Sequence, residues 1–169
     1  MDMWTFGEML CCSSYLISRE LVEETGGWNE DILKNQDGEF FCRVLLAAKS
    51  VKHVSTAKFF YRTGDYLSVS KANSKKKVSS MLETFILYRK YSLAHEDSKR
   101  VKEALSANFT LFIYIYGNQY PDLCNRAQQE IKTLGVGYKL NTEPARIKML
   151  CKIIGFTSFM KLRKYLYSR

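Results

Sequence analysis

The spacing of apolar residues divides the chain into an early part of mixed character and a later part with helical periodicity. Small and apolar residues follow one another closely from Met9 to Ser18, which predicts a buried strand. The next run, residues 19–25, predicts a short helix that ends at Gly26 or Gly27. Residues 51–64 are rich in β-branched and aromatic side chains, so a second strand is expected there.

Between these predicted strands, an acidic loop leads into the clearest amphipathic helix of the early part. After Asp37, apolar residues recur at spacings of three and four and form one face, namely Phe40, Phe41, Val44, Leu45 and Ala48. Asp37 is therefore expected near the N-terminus of this helix, where unpaired backbone N–H groups favour an anion. An acidic first turn of this kind is more often a helix cap than a catalytic base.

The later part contains four further apolar patterns, all with helical spacing. We expect one helix to end at Gly117 and Pro121, a second to end at Gly135, a third to begin at Pro144 and a fourth to close the chain. Their predicted buried faces are Val101, Leu105, Phe109, Phe112, Ile113 and Tyr116; Leu123, Ala127, Ile131 and Leu134; Ile147, Leu150, Cys151 and Ile154; and Phe159, Leu162 and Leu166. The lysine run at residues 75–77 is interpreted as a hinge between the two parts.

Composition favours a folded protein with an anionic partner. The chain has 169 residues, is 46% hydrophobic and 14% aromatic, and can bury one substantial core. Its formal net charge of +9 suggests a nucleotide, a nucleic acid or an acidic membrane as a partner. The five cysteines include no CxxC pair, which favours a reducing cytosolic compartment over a zinc site or a disulfide framework.

The residues of the acidic loop are the best candidates for chemistry. The sequence has no glycine-rich phosphate loop and no HExxH motif, and its two histidines are far apart. The loop instead combines Trp28 with amides and carboxylates, which suit a hydroxyl-rich ligand such as a sugar. An aromatic ring covers the C–H face of a sugar while carboxylates accept hydrogen bonds from its hydroxyl groups.

The order of these elements resembles the second half of a family 2 glycosyltransferase of GT-A fold. The matching parts are a GGW loop at residues 26–28 followed by Asn29 and Glu30, then Gln36 and Asp37 opening a helix that carries Arg43, then Tyr61 and Arg62, and lastly Ser68 and Ser70. The resemblance covers roughly the first seventy residues. It implies an α/β fold class, an α+β fragment of a GT-A domain over residues 1–72, with a mainly α-helical extension over residues 73–169.

The resemblance also implies an activity and a set of site residues. Asp37 would be the general base of an inverting transfer from a nucleotide-sugar donor to an acceptor hydroxyl. Trp28, Asn29, Glu30 and Gln36 would bind substrate on the acceptor side, and Arg62 would face the leaving diphosphate. Trp28 as a core residue and Arg62 in a surface ion pair are open alternatives. For Arg43 we prefer an ion pair with a nearby carboxylate over a catalytic role.

The sequence also departs from this family. It contains neither a nucleotide-binding βαβ half nor a DxD motif, and it lacks the histidine that many members carry after the YR pair. The divalent cation (Mg²⁺ or Mn²⁺) of the full-length family is therefore not supported by ligands here. We expect the isolated chain to be inactive without a donor half. The alternative is a non-catalytic, degenerate transferase half that acts as a binding partner or a membrane-associated scaffold.

The end of the chain suggests a membrane partner. No acidic residue follows Glu143, whereas basic residues alternate with apolar and aromatic ones up to Arg169. This pattern is typical of an amphipathic helix on an anionic membrane, and equally of helices packed on a domain with a solvated basic face. We expect a cytoplasmic protein, peripheral at the inner face of the plasma membrane, in polysaccharide or glycolipid synthesis. Nucleic-acid binding is not expected because no recognised motif is present.

Overall fold

The computed structural model describes residues 11–60 and 74–167, and these ranges contain helices and irregular segments but no strand. A single 3-10 turn lies at Cys12–Ser14. The α-helices that follow are α1 (Arg19–Thr25), α2 (Gln36–Ala47), α3 (Lys75–His95), α4 (Lys99–Tyr116), α5 (Pro121–Leu134), α6 (Ala145–Ile154) and α7 (Phe156–Tyr167).

The prediction of an α/β fold, an α+β fragment of a GT-A domain, is therefore wrong for the described residues. Neither predicted strand forms at residues 11–18 or 51–60, and the remaining residues of both predictions lie outside the described ranges. The backbone from Tyr15 to Ser18 is extended, with φ/ψ of −103°/136° and −73°/153° at these two residues. An extended segment becomes a strand only when a neighbouring strand pairs with it, and no such neighbour is present in the described part of the chain.

The side chains of this extended segment do alternate between two environments. Tyr15 and Ile17 pack against the buried cluster of Phe40, Phe41 and Val44, whereas Leu16 between them is fully exposed. The Tyr15 ring stacks on the Phe41 ring with centroids 4.0 Å apart. The side chains of this segment therefore alternate between a packed and an exposed side, as in a strand. Here the packed side chains attach an extended segment to a helix.

The chain divides into two compact units, and the division lies between His95 and Glu96. The predicted boundary between residues 72 and 73 lies outside the described residues and stays a prediction. The lysines interpreted as a hinge form the first turn of α3. That interpretation is wrong, because the helix runs without interruption from Lys75 to His95.

In the unit that ends at His95, α2 packs against both α1 and α3. Helix α2 buries Phe40, Phe41, Cys42 and Val44, and α3 buries Val78, Leu82, Phe85 and Tyr88. The predicted face of α2 is confirmed for its first three apolar positions, whereas Leu45 is exposed. Helix α1 ends where predicted, because its C-cap Gly26 has a positive φ of 76° that favours glycine.

In the unit that begins at Glu96, α4 packs against α5, and α6 packs against α7. Every residue of the predicted faces of α4 and α5 is buried, so these two predictions are confirmed. Helix α5 ends at Gly135 in the left-handed conformation, with φ of 68°. Helix α6 begins directly after Pro144 as predicted, but it has no fully buried residue. Among the α7 side chains that the structure describes, only Phe156 and Phe159 are buried.

No helix among the described residues is both long enough and apolar enough to span a bilayer.

Candidate functional site

Asp37 occupies the second position of α2, as the sequence predicts. Asn35 precedes the helix in the left-handed conformation, with φ of 68°, so the chain turns sharply into α2. The Asp37 side chain is half-buried, whereas Glu39, two residues later, is only 1% exposed. The first turn thus presents one carboxylate to solvent and buries another.

Trp28 lies on α2 with one ring face covered. Its ring stacks on Phe40 at 4.5 Å between centroids and meets the edge of Phe41 at 6.1 Å. The side chain is nevertheless 45% exposed, so it is not a buried core residue. Because Phe40 follows Asp37 by three residues, the ring on which Trp28 stacks and the Asp37 carboxylate lie on neighbouring turns of one helix face.

The other predicted site residues lie around this pair. The side-chain oxygen of Asn29 accepts a hydrogen bond from the backbone N–H of Asp31 at 3.1 Å, which shapes the turn after Trp28. Glu30 is exposed at that turn, and Gln36 is exposed at the first position of α2. Arg62 lies outside the described residues, so the structure does not place it.

Arg43 holds the GGW loop against α2. Its Nη1 donates to the carbonyl oxygens of Thr25 and Gly26, and its Nη2 donates to the carbonyl oxygen of Gly27 at 2.8 Å. Three carbonyls at the end of α1 are thus satisfied by one guanidinium, whose planar fork is suited to several acceptors. The loop that carries Trp28 is fixed by this contact.

The same guanidinium pairs with the buried carboxylate of Glu39. Arg43 donates from Nε to Oε1 at 2.7 Å and from Nη2 to Oε2 at 2.9 Å, a bidentate pair one helical turn apart. The hydroxyl of Tyr91 also donates to Glu39 Oε1, at 3.1 Å. Hydrogen bonding to Glu39 raises the pKa of Arg43 above its ordinary value. The prediction that Arg43 pairs with a nearby carboxylate is confirmed, and Glu39 is the partner.

Helix α3 supports the loop from Leu33 to Asn35. The Leu33 backbone N–H donates to Ser80 Oγ at 2.8 Å, and Asn35 Nδ2 donates to the Tyr88 hydroxyl oxygen at 2.9 Å. Burial raises the pKa of Tyr88 above its ordinary range. We did not predict α3, although buried residues at Val78, Leu82 and Phe85 give it a helical spacing that the sequence contains.

The thiol group of a cysteine lies near the candidate base, Asp37. Cys12, in the 3-10 turn, lies near the Asp37 carboxylate. Loss of hydration and then the negative charge of Asp37 raise the pKa of this thiol above its ordinary value. The Asp37 carboxylate therefore has a thiol near it whose ionisation its charge opposes.

The described residues do not offer a site for the expected divalent cation. Within residues 11–60 and 74–167, no three His, Cys, Asp or Glu side chains converge as a metal site would require. Two grooves, of about 320 and 730 Å³, lie in the unit that begins at Glu96, and no predicted site residue lines either one.

This arrangement combines a half-buried carboxylate at a helix start, a partly exposed indole that stacks on Phe40 of the next turn, and a loop held by Arg43. It can stack on an apolar sugar face and accept a hydroxyl proton. Comparison with known proteins gives no match of the chain to any protein-family model, to any curated protein or to any solved structure.

Proposed function

We propose that the GGW loop and the start of α2 form the acceptor-binding side of an inverting glycosyltransferase site, with Asp37 as the general base. In this reaction the Asp37 carboxylate takes the proton of an acceptor hydroxyl. The hydroxyl oxygen then bonds to the anomeric carbon of a nucleotide sugar, and the bond from that carbon to the diphosphate oxygen breaks. The nucleoside diphosphate leaves with the electron pair of that bond.

The observation that carries the proposal is the partly exposed indole of Trp28, which stacks on Phe40, three residues after Asp37. Phe40 covers one face of this indole. A sugar that stacks on the exposed part of the ring has its hydroxyl groups at the rim, where a carboxylate on the neighbouring turn reaches them. Arg43 favours this geometry because it joins the loop to the helix through both Gly26 and Gly27. Fixed geometry of this kind lowers the entropic cost of orienting an acceptor.

Under this proposal the nucleotide-sugar donor is bound by a separate domain or a separate protein. The sequence has no DxD motif, and a donor diphosphate needs cations or basic groups to balance its charge. The basic group that α2 brings to the GGW loop, Arg43, is already paired with Glu39 and with the loop carbonyls. We therefore expect no turnover of a nucleotide sugar by the purified chain alone.

Binding of sugars to the purified chain tests the acceptor site directly. We would titrate a panel of oligosaccharides and polyols and follow the indole N–H resonance of Trp28. Trp28→Ala should weaken binding by about fivefold, since stacking on an aromatic ring contributes roughly 1 kcal/mol. Asp37→Asn keeps the shape of the side chain but should weaken binding by a similar factor, because hydrogen bonds to a charged acceptor are the stronger ones.

Two matched variants control this experiment. Asp31→Asn removes an equal charge from the same loop, and Phe59→Ala removes an aromatic ring that is 49% exposed, close to the 45% of Trp28. Both should bind like the unmodified chain. Absence of saturable sugar binding at millimolar concentration would overturn the proposal, and so would equal losses from the control variants. Turnover by the chain alone that Asp37→Ala abolishes would support the base but refute the need for a separate donor part.

A further inference from the structure

We propose that α6 and α7 bind the surface of an anionic lipid membrane. The two helices expose apolar side chains that are normally buried. Met149 and Ile153 on α6 are 64% and 69% exposed, and Leu166 on α7 is 63% exposed. Leu150, Ile154, Leu162 and Tyr165 are exposed as well. A surface with this many large apolar side chains marks an interaction site.

The apolar residues of α6 share one side of the helix. Met149, Leu150, Ile153 and Ile154 follow spacings of one and four, which places them in a continuous stripe. The helix has no fully buried residue at all, and its contact with the rest of the unit runs through partly buried positions such as Ile147 and Cys151. This stripe therefore faces solvent although it is more apolar than the side that packs.

Basic side chains lie beside the exposed apolar residues on both helices. Arg146 and Lys152 are exposed on α6, and Lys161 and Lys164 are exposed on α7. Residues 144–169 contain no Asp or Glu, so no acidic neighbour in this stretch offsets these charges. Apolar side chains that enter the acyl boundary, flanked by cations that meet the headgroups, fit an anionic bilayer surface.

One basic residue of α7, Arg163, packs on its own unit instead of lying on the exposed basic surface. Arg163 lies over the Tyr114 ring at 4.1 Å and donates to the Tyr114 carbonyl oxygen. Together with Phe156 and Phe159, it fixes α7 on its own unit and leaves the opposite side of the helix outward. Because α7 is oriented by these buried contacts, Lys161 and Tyr165 are held on the outer side before any lipid binds.

Charge complementarity selects the lipid surface among other occupants. A second copy of this chain would cover the stripe but would place its four basic residues near the same four of its partner. An apolar protein partner would place them against a neutral surface. Each basic residue near an anionic leaflet contributes about 1 kcal/mol, and the attraction acts within a Debye length of about 10 Å at 0.1 M salt.

Co-sedimentation with vesicles tests the proposal on the full chain. We expect binding to phosphatidylcholine vesicles that contain 30% phosphatidylglycerol, weak binding to pure phosphatidylcholine, and release at 0.5 M NaCl. Replacement of Arg146, Lys152, Lys161 and Lys164 by Gln should weaken partition by about tenfold or more. Replacement of Lys49, Lys52, Lys58 and Lys90 by Gln removes the same charge elsewhere and should have a much smaller effect.

Insertion of the apolar stripe needs its own readout, because charge alone would draw the chain to vesicles. Ile153→Trp places an indole in the stripe, and Asn125→Trp places one at an exposed polar position of α5. Brominated acyl chains should quench the fluorescence of the Ile153→Trp indole but not that of the Asn125→Trp indole, each compared with the unmodified chain. Circular dichroism of each variant verifies that the helices persist.

Several results would overturn the proposal. These are absence of binding at low salt, equal binding to both vesicle types, and equal losses from the two sets of charge replacements. An unquenched Ile153→Trp indole on bound vesicles would also overturn it. So would lipid-independent dimerisation in sedimentation velocity that Ile153→Ser abolishes, since a second copy would then cover the stripe.

Discussion

Arg43 connects three features of its unit, namely the end of α1, the GGW loop and the buried carboxylate of Glu39. Sequence reasoning predicted that Arg43 pairs with a nearby carboxylate, and the structure identifies Glu39, four residues earlier on the same helix, as that partner. It did not predict the backbone carbonyls of Thr25, Gly26 and Gly27, which are 16 to 18 residues away in the chain. Such contacts depend on how two helices pack, and no local spacing encodes them.

Loss of Arg43 should therefore destabilise the unit that ends at His95. Arg43→Ala leaves Glu39, which is 1% exposed, without its cation and frees three carbonyls. We expect the free energy of unfolding to fall by about 3 kcal/mol, measured by urea denaturation. Arg100→Ala breaks an equally spaced but exposed pair with Glu96 and should cost less than about 0.5 kcal/mol. Equal losses would show that the Glu39 pair is no stronger than a surface pair.

Gly38 is a second position where close packing matters, because neighbouring side chains leave no room for a Cβ atom. A Cβ atom there would lie 1.9 Å from the Tyr88 hydroxyl oxygen and 2.6 Å from Asn35 Oδ1. Gly38→Ala should thus lower the free energy of unfolding by about 1–3 kcal/mol, although alanine normally stabilises a helix. The loss should shrink in a Tyr88→Phe background, where the clashing oxygen is absent. Gly137→Ala, with open space around its Cβ, is the control and should be nearly neutral.

The segment from Tyr15 to Ser18 illustrates why helices were predicted better than strands. A helix satisfies its own backbone hydrogen bonds, so the faces of α4 and α5 could be derived from local spacing. A strand depends on a partner that the local sequence does not specify. The alternation of Tyr15, Leu16 and Ile17 is present, but it leads to an extended segment on α2 rather than a sheet. The α/β prediction failed at this step.

Substitutions in this segment distinguish a buried strand from an extended segment on a helix. Ile17→Asn should lower the free energy of unfolding by about 1–2 kcal/mol, because Ile17 packs against Phe40, Phe41 and Val44. Leu16→Asn should change it by less than about 0.5 kcal/mol, because Leu16 is fully exposed. Similar losses from both substitutions, measured by urea denaturation, would indicate that the segment is covered on both sides as a central strand is.

Helix α3 shows a different limit of sequence reasoning. Its polar residues, such as Ser80 and Thr84, lie among its buried positions and weaken the apolar period. The structure explains them, since Ser80 accepts from the Leu33 backbone and Thr84 donates to the Lys34 carbonyl at 3.4 Å. These side chains support the loop that leads to Asp37. The position of Asp37 at the start of α2 could be predicted from sequence, but the support that α3 gives to the loop before it could not.

Each of the two compact units has a core of its own, and this separation can be tested. Phe109 is completely buried in α4, and Phe85 is 6% exposed in α3. Truncation of a buried phenylalanine typically costs about 3–5 kcal/mol. If the stability of each unit depends mainly on its own core, Phe109→Ala should raise hydrogen exchange in α4 and α5 more than in α2 and α3. Phe85→Ala should do the reverse.

Hydrogen exchange followed by mass spectrometry resolves these two responses, because local opening of a helix reports the free energy of the unit that contains it. Each phenylalanine variant is the control for the other, since both remove the same side chain from a buried helical position. The reciprocal pattern is expected only if the contacts within residues 11–95 and within residues 96–167 dominate. If both variants raise exchange equally throughout the described helices, the chain unfolds as one cooperative body. In that case the Trp28 and Asp37 site would lose its geometry whenever α4 or α5 is weakened.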